Sequence, residues 1–150
     1  MKNLILLITV LSSSFVVNSQ VTVNDVAGTY ERKLSNTSPH IINYTLNLNA
    51  DGTFHFHSYD KIQLGTPNKP RSNERSSYAK GTWTLAEKVV SFSTSASDFD
   101  EKFTLDFDTS KARFISKHPR DKSDKVVETA LRFYESQIDW IHSLYILKIE

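Results

Sequence analysis

The chain has 150 residues and no cysteine, and its 18 Lys and Arg against 17 Asp and Glu give a formal net charge of +1. This balance excludes the strongly basic surface that nucleic acids and anionic membranes attract, so we expect neither as a partner. The lack of cysteine excludes disulfides and a lipid-modified cysteine, so the fold must be stable through packing alone.

Residues 1–19 predict a secretory signal, with a short polar start, an apolar segment and a small-residue end. Cleavage is expected near Ser19 or Gln20. A membrane anchor is disfavoured because Thr9 and a serine run interrupt the apolar segment, whereas a spanning helix needs about 20 mainly apolar residues. We therefore expect a secreted or periplasmic monomer that is not a lipoprotein and has no transmembrane segment when mature, with 20–150 as its single domain.

The segment from Leu46 to Phe56 predicts a β-hairpin, because apolar and polar residues alternate on both sides of an Ala-Asp-Gly turn. A three-residue loop with Gly52 in the left-handed conformation pairs Leu48 with Phe54 and Leu46 with Phe56. All four apolar side chains then share one face. A two-residue turn would mix the faces, so turn chemistry and alternation select the same register.

The remaining apolar residues also alternate with polar ones, as is typical of half-buried strands. In chain order, the predicted strands cover residues 26–34, 42–48, 53–59, 78–86, 90–92, 103–107 and 111–117.

Two segments are harder to interpret. Residues 60–77 show no period and contain two prolines, which predicts a long loop of the kind that is often functional. Residues 127–145 fit helical spacing but are rich in aromatic and branched residues. Here we favour a strand, a short helical turn around 138–142 and a final strand.

These elements predict an all-β fold with eight or nine short antiparallel strands and, at most, a short helix near the C-terminus. A sandwich and a barrel both fit this pattern. An up-and-down barrel is favoured because closure removes the exposed strand edges that a secreted monomer must otherwise protect.

Three short motifs resemble the small lipocalin-like, calycin-type barrels of secreted bacterial proteins. They are Gly28-Thr29-Tyr30, which is similar to the lipocalin Gly-x-Trp signature, then Asp51-Gly52-Thr53-Phe54 and Gly81-Thr82-Trp83. The chain departs from the signature at Tyr30, where lipocalins have Trp. The resemblance implies a barrel that binds small apolar molecules and in which Arg132 packs over Tyr30.

Seven aromatic residues fall on inferred inward faces and are the candidates for lining a ligand cavity: Tyr44, Phe54, Phe56, Trp83, Phe92, Phe103 and Phe107. The alternative is that they simply fill the barrel, since an eight-stranded barrel has room for side chains or for one small ligand. The candidate rim residues, which would orient a ligand's head group, are Tyr59, Lys61, Arg71 and Arg75.

Metal and catalytic chemistry have little support. His55 and His57 share one face of a strand, but the hairpin register turns both outward, and a third ligand would have to come from His40 or His142. The acidic run at 98–101 lacks the spacing of a calcium loop. No cofactor is expected.

The leading hypothesis is a binding protein, not an enzyme, for a small apolar or amphipathic molecule. The absence of cysteine and of a Gly-x-Ser-x-Gly elbow argues against nucleophilic catalysis. The first alternative is a protein-interaction module, an inhibitor or envelope-assembly factor, that acts through the 60–77 loop. The second is a metal-dependent enzyme that uses His55 and His57.

Overall fold

The computed structural model describes residues 20–34, 39–66 and 68–149, so the predicted signal segment lies outside the described residues. The eight strands form a closed antiparallel barrel in sequential order, which confirms the predicted fold class. In the described ranges no helix is long and apolar enough to cross a membrane. The elements are α1 (Val23–Val26), β1 (Gly28–Leu34), β2 (His40–Leu48), β3 (Thr53–Thr66), β4 (Lys69–Ala86), β5 (Val89–Ser93), the 3-10 helix Ala96–Asp98, β6 (Lys111–Ile115), β7 (Ala130–Glu135) and β8 (Tyr145–Lys148).

The predicted hairpin register is confirmed. Leu48 pairs with Phe54 and Leu46 with Phe56, and Gly52 has a φ of 86°, in the left-handed region. The turn is held by Asp51, whose carboxylate accepts hydrogen bonds from the Thr53 N–H (2.9 Å) and hydroxyl (2.6 Å). All four paired side chains are buried.

The second predicted hairpin is also confirmed, because Trp83 pairs with Phe92 and Leu85 with Val90. The indole N–H of Trp83 donates to the carbonyl of Asn49 at 2.9 Å. This bond ties the β4–β5 hairpin to the β2–β3 turn at one end of the barrel.

The predicted loop at 60–77 is wrong, because β3 and β4 continue through most of it as a paired hairpin. The β2–β3 pairing ends at His40 and Ile62, and beyond it residues 63–66 pair with residues 69–72 in a two-stranded segment, here called the ribbon. Within 39–66 and 68–149 no third strand pairs with the ribbon beyond the bond from the Gln63 N–H to the Pro39 carbonyl, so its sequence needs no regular apolar alternation. Below it, polar cross-strand pairs such as Lys61 with Glu74 (2.6 Å) take the place of apolar contacts.

The predicted strand at 103–107 is also wrong. The described segment makes one bridge, between Tyr78 and Phe103, and then the N–H groups of Thr104 and Leu105 both donate to the Tyr78 carbonyl at 3.1 and 3.0 Å. Two successive donors on one carbonyl break the strand alternation. Phe103 therefore lies outside the barrel wall and Phe107 inside it.

The first strand begins at Gly28 and not, as predicted, at Val26, because Val26 belongs to α1. Thr22 and Asp25 form a capping box, which stabilises this helical turn. The turn covers the barrel end, with Val26 fully buried and its carbonyl accepting the Tyr30 hydroxyl at 2.5 Å.

Two predictions about the last third of the chain have different outcomes. The predicted strand, helical turn and strand are confirmed by β7, the bonds from the Ile141 and His142 N–H groups to the Ile138 carbonyl, and β8. The expected packing of Arg132 over Tyr30 is wrong. Arg132 is exposed on the outer face of β7, whereas Tyr30 is buried inside.

Candidate functional site at the barrel mouth

Aromatic side chains fill the centre of the barrel. Phe107 lies at the middle of the group, with ring centroids 4.9 Å from Phe56, 5.5 Å from Phe54, 5.8 Å from Phe92 and 6.2 Å from Phe133. All five rings are buried. Phe54, Phe56, Phe92 and Phe107, which were candidates for a ligand cavity, therefore pack against one another.

Above this packed centre the barrel opens at the end that carries the ribbon. A cleft of about 330 Å³ lies there, here called the mouth cleft. It is lined by Ile42, Tyr44, Ser58, Asp60, Arg75, Ser77, Leu105 and Trp140.

Two stacked aromatic rings form the apolar side of the mouth cleft. The Trp140 ring lies 5.5 Å from the Tyr44 ring with an angle of 15° between the planes, and 6.0 Å from Phe56. Trp140 comes from the helical turn between β7 and β8, which the buried Ile141 anchors in the core. Its 42% exposure leaves one side of the indole open at the cleft.

The polar side of the mouth cleft carries both signs of charge. Asp60 Oδ1 lies 2.6 Å from His40 Nε2, and Arg75 is directly opposite Asp60 in the β3–β4 register. No ion pair or hydrogen bond of the Arg75 side chain occurs within the part of the chain that the structure describes.

Tyr44 links the apolar and polar sides of the cleft. Burial raises the pKa of its hydroxyl, the negative charge of Asp60 raises this pKa further, and the positive charge of Arg32 opposes the rise. The hydroxyl therefore stays protonated at neutral pH and keeps its ability to donate a hydrogen bond. Arg32 is itself held in place by its bond to the Tyr145 carbonyl, at 3.0 Å.

The predicted rim residues divide between two faces. Arg75 lines the mouth cleft, and Arg71 lies on the same strand face, further out on the ribbon. Tyr59 and Lys61 lie on the opposite, outer face of β3, where Glu74 binds Lys61 and raises its pKa. Of the predicted interior residues, Tyr44 lines the cleft, while Trp83 is buried at the other end of the barrel.

Phe103, expected inside, belongs instead to an aromatic cluster on the outer wall. Its ring lies 6.0 Å from Tyr78 and 6.1 Å from His55, and the Lys80 ammonium is 4.4 Å from its centroid. His57 stacks on Tyr78 at 4.4 Å. Burial and the charge of Lys102 lower the His57 pKa. These contacts hold the 94–110 connection against β4.

In the outer cluster, His55 and His57 both contact aromatic rings. Within residues 20–34, 39–66 and 68–149, no group of three side chains could hold a metal ion. The nearby Asp100 accepts bonds from the Phe103 and Lys102 N–H groups and from Lys80, which lower its pKa to about 2. Asp98 caps the 3-10 helix through the Ser95 N–H. These two carboxylates thus have structural partners.

Several cleft residues were absent from the sequence candidates. Ser58 and Asp60 continue the even-numbered inward alternation of Phe54 and Phe56, so a longer β3 would have predicted them. Trp140 had no comparable signal, because its position depends on how a turn folds over the barrel.

No family model, curated protein or solved structure matches this chain.

Proposed function

We propose that this protein is a secreted or periplasmic, lipocalin-like binding protein, not an enzyme, and that it holds one small amphipathic molecule in the mouth cleft. The observation that carries the proposal is an open aromatic surface, Trp140 stacked on Tyr44, directly beside the charged groups of Asp60 and Arg75. Ligand sites commonly combine an apolar wall with a few polar groups, and the cleft volume lies within their usual range of about 300–1,000 Å³.

The two sides of the cleft support different parts of such a ligand. The apolar part would pack on Trp140 and Leu105, where binding removes apolar surface from water. The head group would meet Arg75, whose guanidinium has no described partner and favours an acidic group. Since the aromatic centre is packed, the ligand would stay at the mouth and be short.

The test is binding of anilinonaphthalene sulfonate, a fluorescent probe with apolar rings and an acidic group. Trp140→Ala should weaken the affinity for this probe about fivefold or more, because truncating an anchoring aromatic costs more than ~1 kcal/mol. Arg75→Gln should weaken it through loss of charge pairing. The matched control is Phe99→Ala, whose ring is 41% exposed and lies outside the cleft. Equal affinity in wild type and Trp140→Ala, or no saturable binding to wild type, would contradict the proposal.

The ribbon favours a second candidate, a protein-interaction module. Its residues pair from Gln63 with Ser72 to Thr66 with Lys69 beyond the β2–β3 register. The Gln63 N–H donates to the Pro39 carbonyl at 2.5 Å, and among the described residues no further strand pairs with the segment from Leu64 to Arg71. Open edges accept an added strand from another protein. Leu64, 52% exposed, would supply the apolar contact.

Replacing Leu64 by Lys tests this candidate in the full chain. We expect loss of a protein that the immobilised wild type captures from an envelope extract, with no change in thermal unfolding because Leu64 is outside the core. Ile149→Lys is the matched control, as Ile149 is 51% exposed at the opposite end. A partner that both variants capture as well as wild type does would contradict the role of the ribbon.

A further inference from the structure

Two arginines face each other on the outer wall of the barrel, away from the mouth cleft. β6 and β7 place Arg113 directly opposite Arg132. Both side chains are exposed, and the residues that flank Arg132, Leu131 and Phe133, are buried. Like charges directly opposite each other destabilise an antiparallel strand pair, so a negative charge bound between the two arginines would stabilise it.

The described residues do not supply that counter-charge. Within 20–34, 39–66 and 68–149, neither guanidinium takes part in an ion pair or hydrogen bond. Glu135, the acid in the β6–β7 register, binds Lys111 at 2.8 Å. A β-bulge between the Lys111 and Ala112 pairings makes this contact possible, because it turns Glu135 outward.

Tyr134 on β7 and two residues of the turn between β7 and β8 place further polar groups beside the arginines. A shallow pocket of about 360 Å³ is lined by Arg113, Arg132, Tyr134, His142 and Ser143, with Phe133. Ser143 has a left-handed φ of 79°, and its hydroxyl lies 3.2 Å from His142 Nδ1. A non-glycine residue held in this conformation stores strain, as residues at binding sites often do.

We propose that this outer pocket binds the phosphate group of a small, soluble phosphate monoester. Two guanidinium groups match a phosphate dianion in charge and offer paired N–H donors to its oxygens. Tyr134 and His142 add donors at the pocket wall. The Tyr134 ring, 41% exposed, would pack against the organic part of the ester. The site uses none of the mouth-cleft residues, so it is independent of the function proposed above.

Calorimetric titration at constant ionic strength tests the proposal, with inorganic phosphate and phenyl phosphate as probes. We expect saturable binding to wild type, tighter for phenyl phosphate, and at least about a tenfold loss in both Arg113→Gln and Arg132→Gln. Arg113→Lys should recover only part of the affinity, because a lysine keeps the charge but loses the planar fork. Lys122→Gln, which removes an exposed charge elsewhere, should bind as wild type does.

Three outcomes would overturn the proposal. The first is equal phosphate binding by wild type, both arginine variants and Lys122→Gln, which would indicate diffuse attraction. The second is no saturable binding to wild type. The third is arginine-dependent binding to phosphatidylcholine vesicles that contain phosphatidic acid, without binding of either soluble probe.

Stability in phosphate-free buffer gives a separate readout of the same pair. Arg113→Gln should unfold at the same temperature as wild type or higher, because the variant relieves the repulsion. Added phosphate should raise the unfolding temperature of wild type more than that of the variant. A variant that is less stable without phosphate would show that Arg113 already has a favourable partner, which would also overturn the proposal.

Discussion

Replacing Phe107 by Ala is expected to lower the free energy of unfolding by about 3–5 kcal/mol, the usual cost of removing a buried Phe side chain. The ring is fully buried and contacts four other aromatic rings, so its removal leaves a cavity that rigid neighbours cannot fill. Chemical denaturation of the purified chain measures the loss.

The matched control is Phe103→Ala. The two residues are four apart and have the same chemistry, but Phe103 lies partly exposed on the outer wall. Its loss removes ring contacts with Tyr78 and His55 and the cation–π contacts of two lysines, for which we expect about 1–2 kcal/mol. Equal losses in the two variants would contradict the placement of Phe107 inside and Phe103 outside the barrel.

Replacing Gly81 by Ala is expected to destabilise the chain by about 1–3 kcal/mol, toward the upper part of the range for overpacking. Gly81 pairs with Phe54 on an inward-facing position of β4. A Cβ there would lie 2.9 Å from Phe54 Cε1 and closer still to the Ser93 carbonyl oxygen. Neither neighbour moves easily, because Phe54 is packed among other rings and the Ser93 atom belongs to the backbone.

Thr82→Ala is the control for the Gly81 variant, since Thr82 is the next residue on β4 and points to solvent. Its effect should stay within about 0.5–1 kcal/mol, the scale of a strand-propensity change. The denaturant concentration at the unfolding midpoint measures the loss of stability in each variant, provided that the dependence of the unfolding free energy on denaturant concentration is the same in both. An alanine that is tolerated at position 81 as well as at 82 would mean that β4 and the end of β5 are further apart than the structure places them.

Local pattern was sufficient to predict much of the barrel. The β2–β3 register follows from Gly52 and from the alternation of Leu46, Leu48, Phe54 and Phe56, all within one short segment. The β4–β5 pairing of Trp83 with Phe92 follows in the same way. These predictions succeeded because hairpin geometry depends on neighbouring residues and on a period of two.

The candidate site was predicted only in part. The sequence predicts Tyr44 and Arg75 as site residues, and both line the mouth cleft. Trp140 was missed because no local pattern shows that a turn folds over the barrel end and stacks its indole on β2. Asp60 is not predicted because Ser58 and Asp60 are both polar and interrupt the apolar alternation that Phe54 and Phe56 begin.

The sequence by itself determined the strand class and the hairpin registers, since both rest on alternation and turn chemistry between close residues. It favoured a barrel over a sandwich, but closure depends on the pairing of β1 with β8, at opposite ends of the chain. Only the tertiary structure decided that Phe107 is inside and Phe103 outside, because two N–H groups share the carbonyl of the distant Tyr78. It also decided that Arg113 and Arg132 lie opposite each other with no counter-charge among the described residues, because pairing across strands depends on bulges and registers that join segments far apart in the chain.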